Sequence, residues 1–214
     1  MNYGKLISQL SIGMITTVSL FLLIVVFSIP LGMLICKGRM SRNKVVRLVV
    51  SGYISIMRGT PLILQLLFFY FAPYYLFKLP TLPRFWAAIL AFVLNYAAYF
   101  AEIYRGGMQS FDQGQYEACK VLGFSQSHTF IHIVLPQVAK NILPSVGNEI
   151  ITLVKDTSLA MTIGVIELFQ TAKTVSSTYF SVVPIFVAGL FYFIMNYVVS
   201  KFFEVAENKL NYYR

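Results

Sequence analysis

Apolar stretches long enough to cross a bilayer recur along the chain and alternate with short polar segments. A membrane-crossing helix needs roughly 20 apolar residues, and the pattern supplies five candidate stretches. We therefore predict an all-α integral membrane protein with five transmembrane helices, forming a single domain over 1–214. The predicted spans are 10–36, 62–77, 85–105, 142–169 and 182–203.

The apolar stretch at 45–77 is interrupted by Arg58-Gly59-Thr60-Pro61. Proline removes a backbone donor and disfavours helix in the residue before it. We therefore expect a short helix at about 45–57, a break at 58–61 and the second span after it. Arg58 itself fits a structural hinge or an interface charge better than a ligand group.

Composition excludes most other classes, because 57% of the 214 residues are hydrophobic and only 12% are charged. A soluble domain is roughly 25% charged, and disordered or coiled-coil chains are more polar or more periodic.

The distribution of basic residues predicts the orientation in the membrane, because cytoplasmic loops of membrane proteins carry an excess of bases. Eleven bases fall on one side of the predicted spans: Lys37, Arg39, Arg42, Lys44, Arg47, Arg105, Lys120, Lys140, Lys201, Lys209 and Arg214. Four fall on the other: Lys5, Lys78, Arg84 and Lys173. This bias predicts an external N-terminus and a cytoplasmic C-terminus, and it explains the net charge of +9 without nucleic-acid binding.

The longest polar segment, 106–140, contains two helical patterns on the predicted cytoplasmic side. The first runs from about Gln115 and ends at Gly123, which suits the residue after a helix. The second starts at the capping residue Ser125 and ends before Pro136. Apolar residues in this segment indicate a docking surface for another protein, although a helical hairpin lying on the membrane surface is the alternative.

The same segment resembles the EAA loop of ABC-transporter permease subunits. The matching residues are Glu117, Ala118, Gly123, Ile133, Leu135 and Pro136. The spacing fits throughout, and Cys119 stands where the family has a second alanine. Four further segments resemble the polar amino-acid importers of the type I class, which transport substrates such as histidine, glutamine and arginine. These segments are 58–61, 101–107, 147–149 and 155–159.

The resemblance implies a subunit without its own catalytic site, in the bacterial cytoplasmic membrane. The EAA residues would form coupling helices against two cytoplasmic ATPase subunits, which bind the ATP and Mg. No cofactor is expected in this chain, and no phosphate-binding glycine-rich motif occurs in it. The other implied partners are a second permease subunit, an external substrate-binding protein, membrane lipid and the amino-acid substrate. The second subunit is preferably an identical copy, although related systems pair two different permeases. The resemblance favours transport by alternating access.

Acidic residues within the predicted spans are candidate transport residues, because a charge near the bilayer centre costs roughly 2.5–3.5 kcal/mol. Glu149, Thr152 and Asp156 share one helix face, and Asn95, Tyr99 and Glu102 share another. Two such stripes are expected to line one cavity for a polar, preferably basic, amino acid such as arginine, histidine or lysine. The full candidate set is Asn95, Tyr96, Tyr99, Glu102, Asn148, Glu149, Thr152, Lys155 and Asp156.

Structural roles for these residues stay open, because Glu102 can pair with Arg105 and Lys155 with an acid. The segment Asp156-Thr157-Ser158 can also cap a broken helix, whose backbone N–H groups would then face a substrate carboxylate. We expect Glu167 near the outer surface, where a binding protein could dock.

Two rival functions remain at this point. An ion-coupled secondary transporter would use the same acids as proton or sodium sites, and a membrane enzyme would need a catalytic set that the sequence does not show. A metal site is not expected, since His128 and His132 have no third ligand in the sequence pattern. Cys36 and Cys119 suit packing residues in a reducing compartment.

Overall fold

In the computed structural model, residues 3–210 are described, and within that range the chain forms nine α-helices and no strand. Short π-helical and 3₁₀ turns join some of them. The helices are α1 (Tyr3–Arg39), α2 (Lys44–Gly59), α3 (Leu62–Phe77), α4 (Arg84–Gln109), α5 (Gln113–Val121), α6 (Gln126–Thr129), α7 (Leu135–Asp156), α8 (Leu168–Tyr179) and α9 (Val183–Leu210). Arg214, counted in the charge bias, lies outside the described residues.

The core forms where α1 packs along α4, the most buried of the long helices. Small residues permit this approach, because α4 carries alanines on its buried face. The close packing of α1 on α4 also requires Gly32 of α1, since a Cβ added there would lie 2.8 Å from the Cβ of Phe100. The helices α2, α3 and α7 then pack around α4, while α8 and α9 form a smaller cluster with the start of α1.

Within residues 3–210, three helices are long and apolar enough to cross a membrane alone, namely α1, α4 and α9. The helices α2 and α3 meet that test only as a pair, and they bend by 112° at the break between them. Asn95 of α4 stabilises this bend, since its amide donates to the Met57 carbonyl at 3.0 Å and to Gln65 Oε1 at 2.9 Å. Gln65 in turn donates to the Met57 carbonyl and to Thr60. The prediction of an all-helical membrane protein is therefore confirmed, whereas the count of five spans stays a prediction.

The segment 142–169 is not the single helix that we predicted. The helix α7 already starts at Leu135 and ends at Asp156, and a 3₁₀ turn follows at Thr157–Ile163. Gly164 then adopts a left-handed conformation with φ +78°. Serine and threonine hydroxyls within the turn donate to carbonyls three residues back, which supports its tighter geometry.

Candidate functional site

The polar stripes of α4 and α7 meet at Tyr96 and Asp156. The Tyr96 hydroxyl donates a hydrogen bond of 2.7 Å to Asp156 Oδ2. Tyr96 is only 2% exposed, and Asp156 is half-buried at the end of α7. Asp156 makes no side-chain cap to the following 3₁₀ turn, so the capping role considered from the sequence is replaced by this link between helices.

The rest of the α7 stripe faces outward from the subunit. Glu149 is half-buried on this face. Asn148, Thr152 and Lys155 are exposed. Polar side chains at membrane depth ordinarily face water or a protein partner and avoid lipid, so this face is the part of the subunit that suits a polar path.

Glu102 does not join the acids of α7, because arginines from three helices surround it. Arg105 donates to Glu102 Oε2 from two nitrogens, at 2.7 and 2.9 Å. Arg39 Nε lies 3.5 Å from Oε1, and an Arg58 terminal nitrogen lies 4.0 Å from Oε2. The alternative pairing with Arg105 is thus the one observed, and Glu102 acts as the anchor of this arginine cluster.

Asn95 is buried and does not join the acids of α7, because its amide nitrogen makes both of its hydrogen bonds at the bend between α2 and α3. Tyr99, in contrast, lies beside Tyr96. Its ring lies 6.2 Å from that of Tyr96, centre to centre, and the Arg58 guanidinium carbon lies 5.1 Å from the centre of the Tyr99 ring. Tyr99 therefore connects the acids of α7 to the arginine cluster.

An open pocket of about 480 Å³ lies between α1, α2 and α4, next to this cluster. Its lining residues are Arg39, Ser51, Ile54, Ser55, Arg58, Gly59, Tyr99 and Glu102. Arg58 belongs to this lining, although its place in the sequence favours a hinge or an interface charge. The available signal was a base within an apolar stretch, directly before the residues that break the helix.

Glu167 is fully buried, in contrast to the surface position that we expected. Its carboxylate caps α8 by accepting from the backbone nitrogens of Phe169 and Gln170, each at 2.7 Å. The same carboxylate accepts from the Tyr192 hydroxyl at 2.9 Å. Three hydrogen bonds to one side chain satisfy the charge inside the protein, so Glu167 joins α8 to α9 and has no exposed face for a binding protein.

The EAA segment folds as a bent pair of short helical units. Asp112 caps α5 by accepting from the Gly114 nitrogen at 2.8 Å. Gly123 ends the turn after α5 with φ +78°, where a side chain would be strained. Glu117 and Ala118 are exposed on α5.

The second unit differs from the prediction of a helix that ends before Pro136. After α6, a π-helical turn at Phe130–Val134 leads straight into α7, whose first residues are Leu135 and Pro136. Proline is tolerated there because the first turn of a helix needs no intrahelical donor. Ile133 is half-buried and Leu135 exposed.

Exposed apolar side chains surround this bend. Val121 is 87% exposed and Leu122 70%, which is unusual for a free aqueous surface. A groove of about 530 Å³ runs beside Glu117, between the α4–α5 junction and the π-helical turn. The bend thus exposes an apolar tip, formed by Val121 and Leu122, and an acidic edge at Glu117.

The two histidines of this segment stack on one another, with ring centres 4.2 Å apart. Across the described part of the chain, no group of three or more histidine, cysteine or acidic residues is arranged to hold a metal ion. Cys36 and Cys119 are both buried and unpaired.

Comparisons with known proteins agree with this architecture. Residues 28–212 match the family described as the binding-protein-dependent transport system inner membrane component. A putative glutamine transport system permease protein of Rickettsia felis is 35% identical over 199 residues, covering 92% of this chain and 91% of that protein. The arginine transport system permease protein of Bacillus subtilis is 33% identical over 204 residues, covering 92% and 90%.

A solved structure described as an amino acid ABC transporter with histidines is also similar. It superposes with a TM-score of 0.89 at 35% identity, covering 97% of this chain and 96% of that one. Permeases of this kind are inner-membrane components without a catalytic site of their own, and they work with ATPase and substrate-binding partners. The chain belongs to the family of binding-protein-dependent transport system inner membrane components, and it is the permease subunit of an amino-acid ABC importer.

Proposed function

We propose that the substrate is a basic amino acid of the arginine, lysine or histidine class. The observation that carries this proposal is the pair of half-buried acids on one face of α7, Glu149 and Asp156. Seven residues of helix separate them by about 10 Å. A basic amino acid carries one cation at its α-carbon and another at the end of its side chain, so one extended molecule can reach both carboxylates.

The surroundings of the two acids suit the same substrate. The rings of Tyr96 and Tyr99 stand beside them, and aromatic faces attract cations. Lys155, exposed next to Asp156, supplies a positive charge for the substrate carboxylate. An arginine permease among the relatives supports this class, whereas the glutamine permease shows that the shared framework does not exclude a neutral amide substrate.

A second permease subunit completes the path, preferably an identical copy. The exposed polar face of α7 needs a water-filled or protein surface opposite it, and a second α7 face supplies one. The lipid-facing surface lies elsewhere, on the apolar sides of α1 and α9, which expose Ile12, Ile15, Phe193 and Val198. Five spans with an external N-terminus agree with the charge bias of the loops.

ATP drives alternating access through the exposed bend of the EAA segment. Two ATPase subunits bind ATP and Mg, and each holds the apolar tip around Val121 in a groove. Glu117 pairs with a base of the ATPase, while Gly123, with its positive φ, allows the sharp bend. Because α6 runs through the π-helical turn into α7 without a break, movement of the tip reaches Glu149 and Asp156 directly.

Binding measurements on the purified complex, without its binding protein, test the substrate class. Glu149→Gln and Asp156→Asn should each weaken arginine binding by about tenfold or more, while glutamine binding changes little. Glu204→Gln is the matched control, because this acid pairs with Lys201 outside the path and is 55% exposed. Equal weakening of arginine and glutamine would show that the two acids are structural and would overturn the proposal.

A further inference from the structure

The open pocket between α1, α2 and α4 is bounded on one side by a polar face of α2. Ser51, Ser55 and Arg58 all line it, and their spacing of four and three residues places them on one helix face. Lys44 and Arg47 continue the same face toward the start of α2, where both are exposed. One side of the pocket is therefore built from bases and hydroxyl groups.

The arginines at this pocket are bound unequally by Glu102. Arg105 donates two short hydrogen bonds to that carboxylate. Arg39 and Arg58 approach it only to 3.5 and 4.0 Å. Within the described residues, the Nε atom of Arg39 is buried without a hydrogen-bond partner. Both of the looser arginines line the pocket, so donors that Glu102 does not satisfy lie at its wall.

The cluster also carries more positive charge than its surroundings neutralise. Three guanidinium groups converge on the single carboxylate of Glu102, and no other acid lines the pocket. Arg39 and Arg58 lie in the last turns of α1 and α2, and the end of a helix supplies only about half a negative charge. Like charges held this close repel one another, so an anion in the pocket would stabilise the cluster.

The donors in the pocket suit a phosphate group. Guanidinium groups bind phosphate oxygens through pairs of parallel hydrogen bonds, and a tetrahedral phosphate can accept from two arginines and from hydroxyl groups at the same time. Arg39 and Arg58 are 30% and 43% exposed, and Ser55 is exposed beside them. These side chains are therefore accessible to a ligand that enters from outside the subunit.

The surface beside the pocket suits the acyl chains of a lipid. Val45, Val49 and Ile56 recur at spacings of four and seven residues and form an exposed apolar face of α2, next to its polar face. Leu48, which is 74% exposed, lies between the two faces. Basic residues next to an exposed apolar helix face are typical of sites for anionic lipids.

We propose that the pocket between α1, α2 and α4 is a binding site for a phosphate group, carried by an anionic phospholipid or by free phosphate. Arg39 and Arg58 bind the phosphate oxygens, Ser51 and Ser55 donate further hydrogen bonds, and Glu102 holds the arginines in place. The charge bias of the loops predicts that this end of α1 faces the cytoplasm, where both sources of phosphate are available. The bound anion would neutralise the cluster and stabilise the packing of α2 on α1 and α4.

The first test uses the purified complex of the permease with its ATPase subunits, stripped of lipid in a neutral detergent. Phosphatidylglycerol, phosphatidylcholine and inorganic phosphate are titrated separately at constant ionic strength, and binding is measured by calorimetry. Arg39→Gln should weaken binding of phosphatidylglycerol or phosphate by about tenfold or more. Arg42→Gln is the matched control and should bind as wild type does, because Arg42 is exposed in the loop after α1 and does not line the pocket.

A second pair of variants leaves every charge in place, so that the test does not depend on how well Arg39→Gln folds. A Cβ added at Gly59 or at Gly52 would meet no packing neighbour within 4 Å, so both positions accept a larger side chain. Gly59 lines the pocket, whereas Gly52 is exposed two turns earlier on α2 and does not. Gly59→Leu should therefore occlude the site and abolish binding, while Gly52→Leu should leave it unchanged.

The titrations distinguish the two sources of phosphate. Binding of phosphatidylglycerol alone, lost in Arg39→Gln and in Gly59→Leu, supports a lipid ligand. Binding of inorganic phosphate with the same two losses supports a free anion; phosphate held by the ATPase subunits is recognised because neither variant removes it. Phosphatidylcholine should bind more weakly than phosphatidylglycerol, since the arginines repel its choline cation.

Four results would overturn the proposal. The first is no binding of either anion, and the second is binding that Arg39→Gln and Gly59→Leu leave unchanged or that Arg42→Gln weakens equally. The third is equal affinity for phosphatidylcholine, which would assign binding to the acyl chains. The fourth is glutamine binding that both pocket variants abolish, which would assign the pocket to the substrate carboxylate.

The phosphate site and the basic substrate class fail separately. None of these variants alters Glu149 or Asp156, and none of the titrated phosphate ligands is an amino acid. A complex that binds phosphatidylglycerol as expected but does not prefer arginine would keep the phosphate site and refute only the substrate class.

Discussion

Replacing Tyr96 with phenylalanine isolates one hydrogen bond at the centre of the proposed site. The Tyr96 hydroxyl donates to Asp156 at 2.7 Å, and its ring is buried among aromatic neighbours that phenylalanine can keep. A hydrogen bond to a charged group contributes about 1.5–3 kcal/mol. If that bond holds the Asp156 carboxylate in its binding orientation, its loss should weaken arginine binding by about 10- to 100-fold, as measured by calorimetry on the purified complex.

Tyr53→Phe is the matched control for that experiment. The Tyr53 hydroxyl donates to the Leu94 carbonyl and so joins α2 to α4 away from the acids of α7. Its removal should also lower the Tm of the complex, by less than Tyr96→Phe because the acceptor is a neutral carbonyl, yet leave arginine affinity within about twofold of wild type. Unchanged arginine affinity in Tyr96→Phe would refute the idea that the carboxylate held by Tyr96 contacts the substrate.

Three further variants test the scaffold and the coupling segment. Gly123→Pro cannot adopt φ +78°, so the complex should hydrolyse ATP without amino-acid uptake, and Glu117→Lys should do the same by charge reversal; normal uptake by both variants in proteoliposomes would contradict the docking role. Glu167→Ala removes the α8 cap and the Tyr192 partner, which should cost about 2–4 kcal/mol of stability and lower the Tm. An unchanged Tm would show that packing alone holds α8. Gly32→Val would push α1 off α4 and should reduce the amount of folded protein in the membrane, whereas Gly52→Val, with open space around it, should not.

Much of the helical framework could be predicted because it depends on local signals, namely apolar stretches and the residues that break or end helices. The break before Leu62 lies where Thr60-Pro61 excludes helix, and the left-handed Gly123 stands where a helix-ending glycine was expected. The EAA spacing identified the family because it fixes several residues at long separation. The apolar pattern did not reveal the 3₁₀ turn at Thr157–Ile163 before Gly164, since an apolar sequence looks the same whether its backbone stays α-helical or tightens into a 3₁₀ turn.

The site was harder to predict, because its ion pairs and hydrogen bonds join residues of helices that are distant in sequence. Helical spacing placed Glu102 on the same face as Tyr99, but it could not show that arginines from α1 and α2 converge on that carboxylate. The sequence predicts a surface position for Glu167, because nothing in its neighbourhood along the chain indicates the Tyr192 hydroxyl from α9. The pairing of Tyr96 with Asp156 across 60 residues followed only in outline, from two polar stripes that needed a common environment.

Uptake into proteoliposomes tests whether this permease serves ATP-driven import of basic amino acids. The permease, its ATPase subunits and its binding protein are reconstituted, and labelled arginine uptake is followed with and without ATP while unlabelled arginine, lysine, histidine or glutamine competes. Uptake should require ATP and be insensitive to ionophores. The basic amino acids should inhibit it more strongly than glutamine does, and Glu149→Gln should abolish that difference. ATP-driven uptake in which glutamine competes best, in wild type and in Glu149→Gln alike, would contradict this prediction.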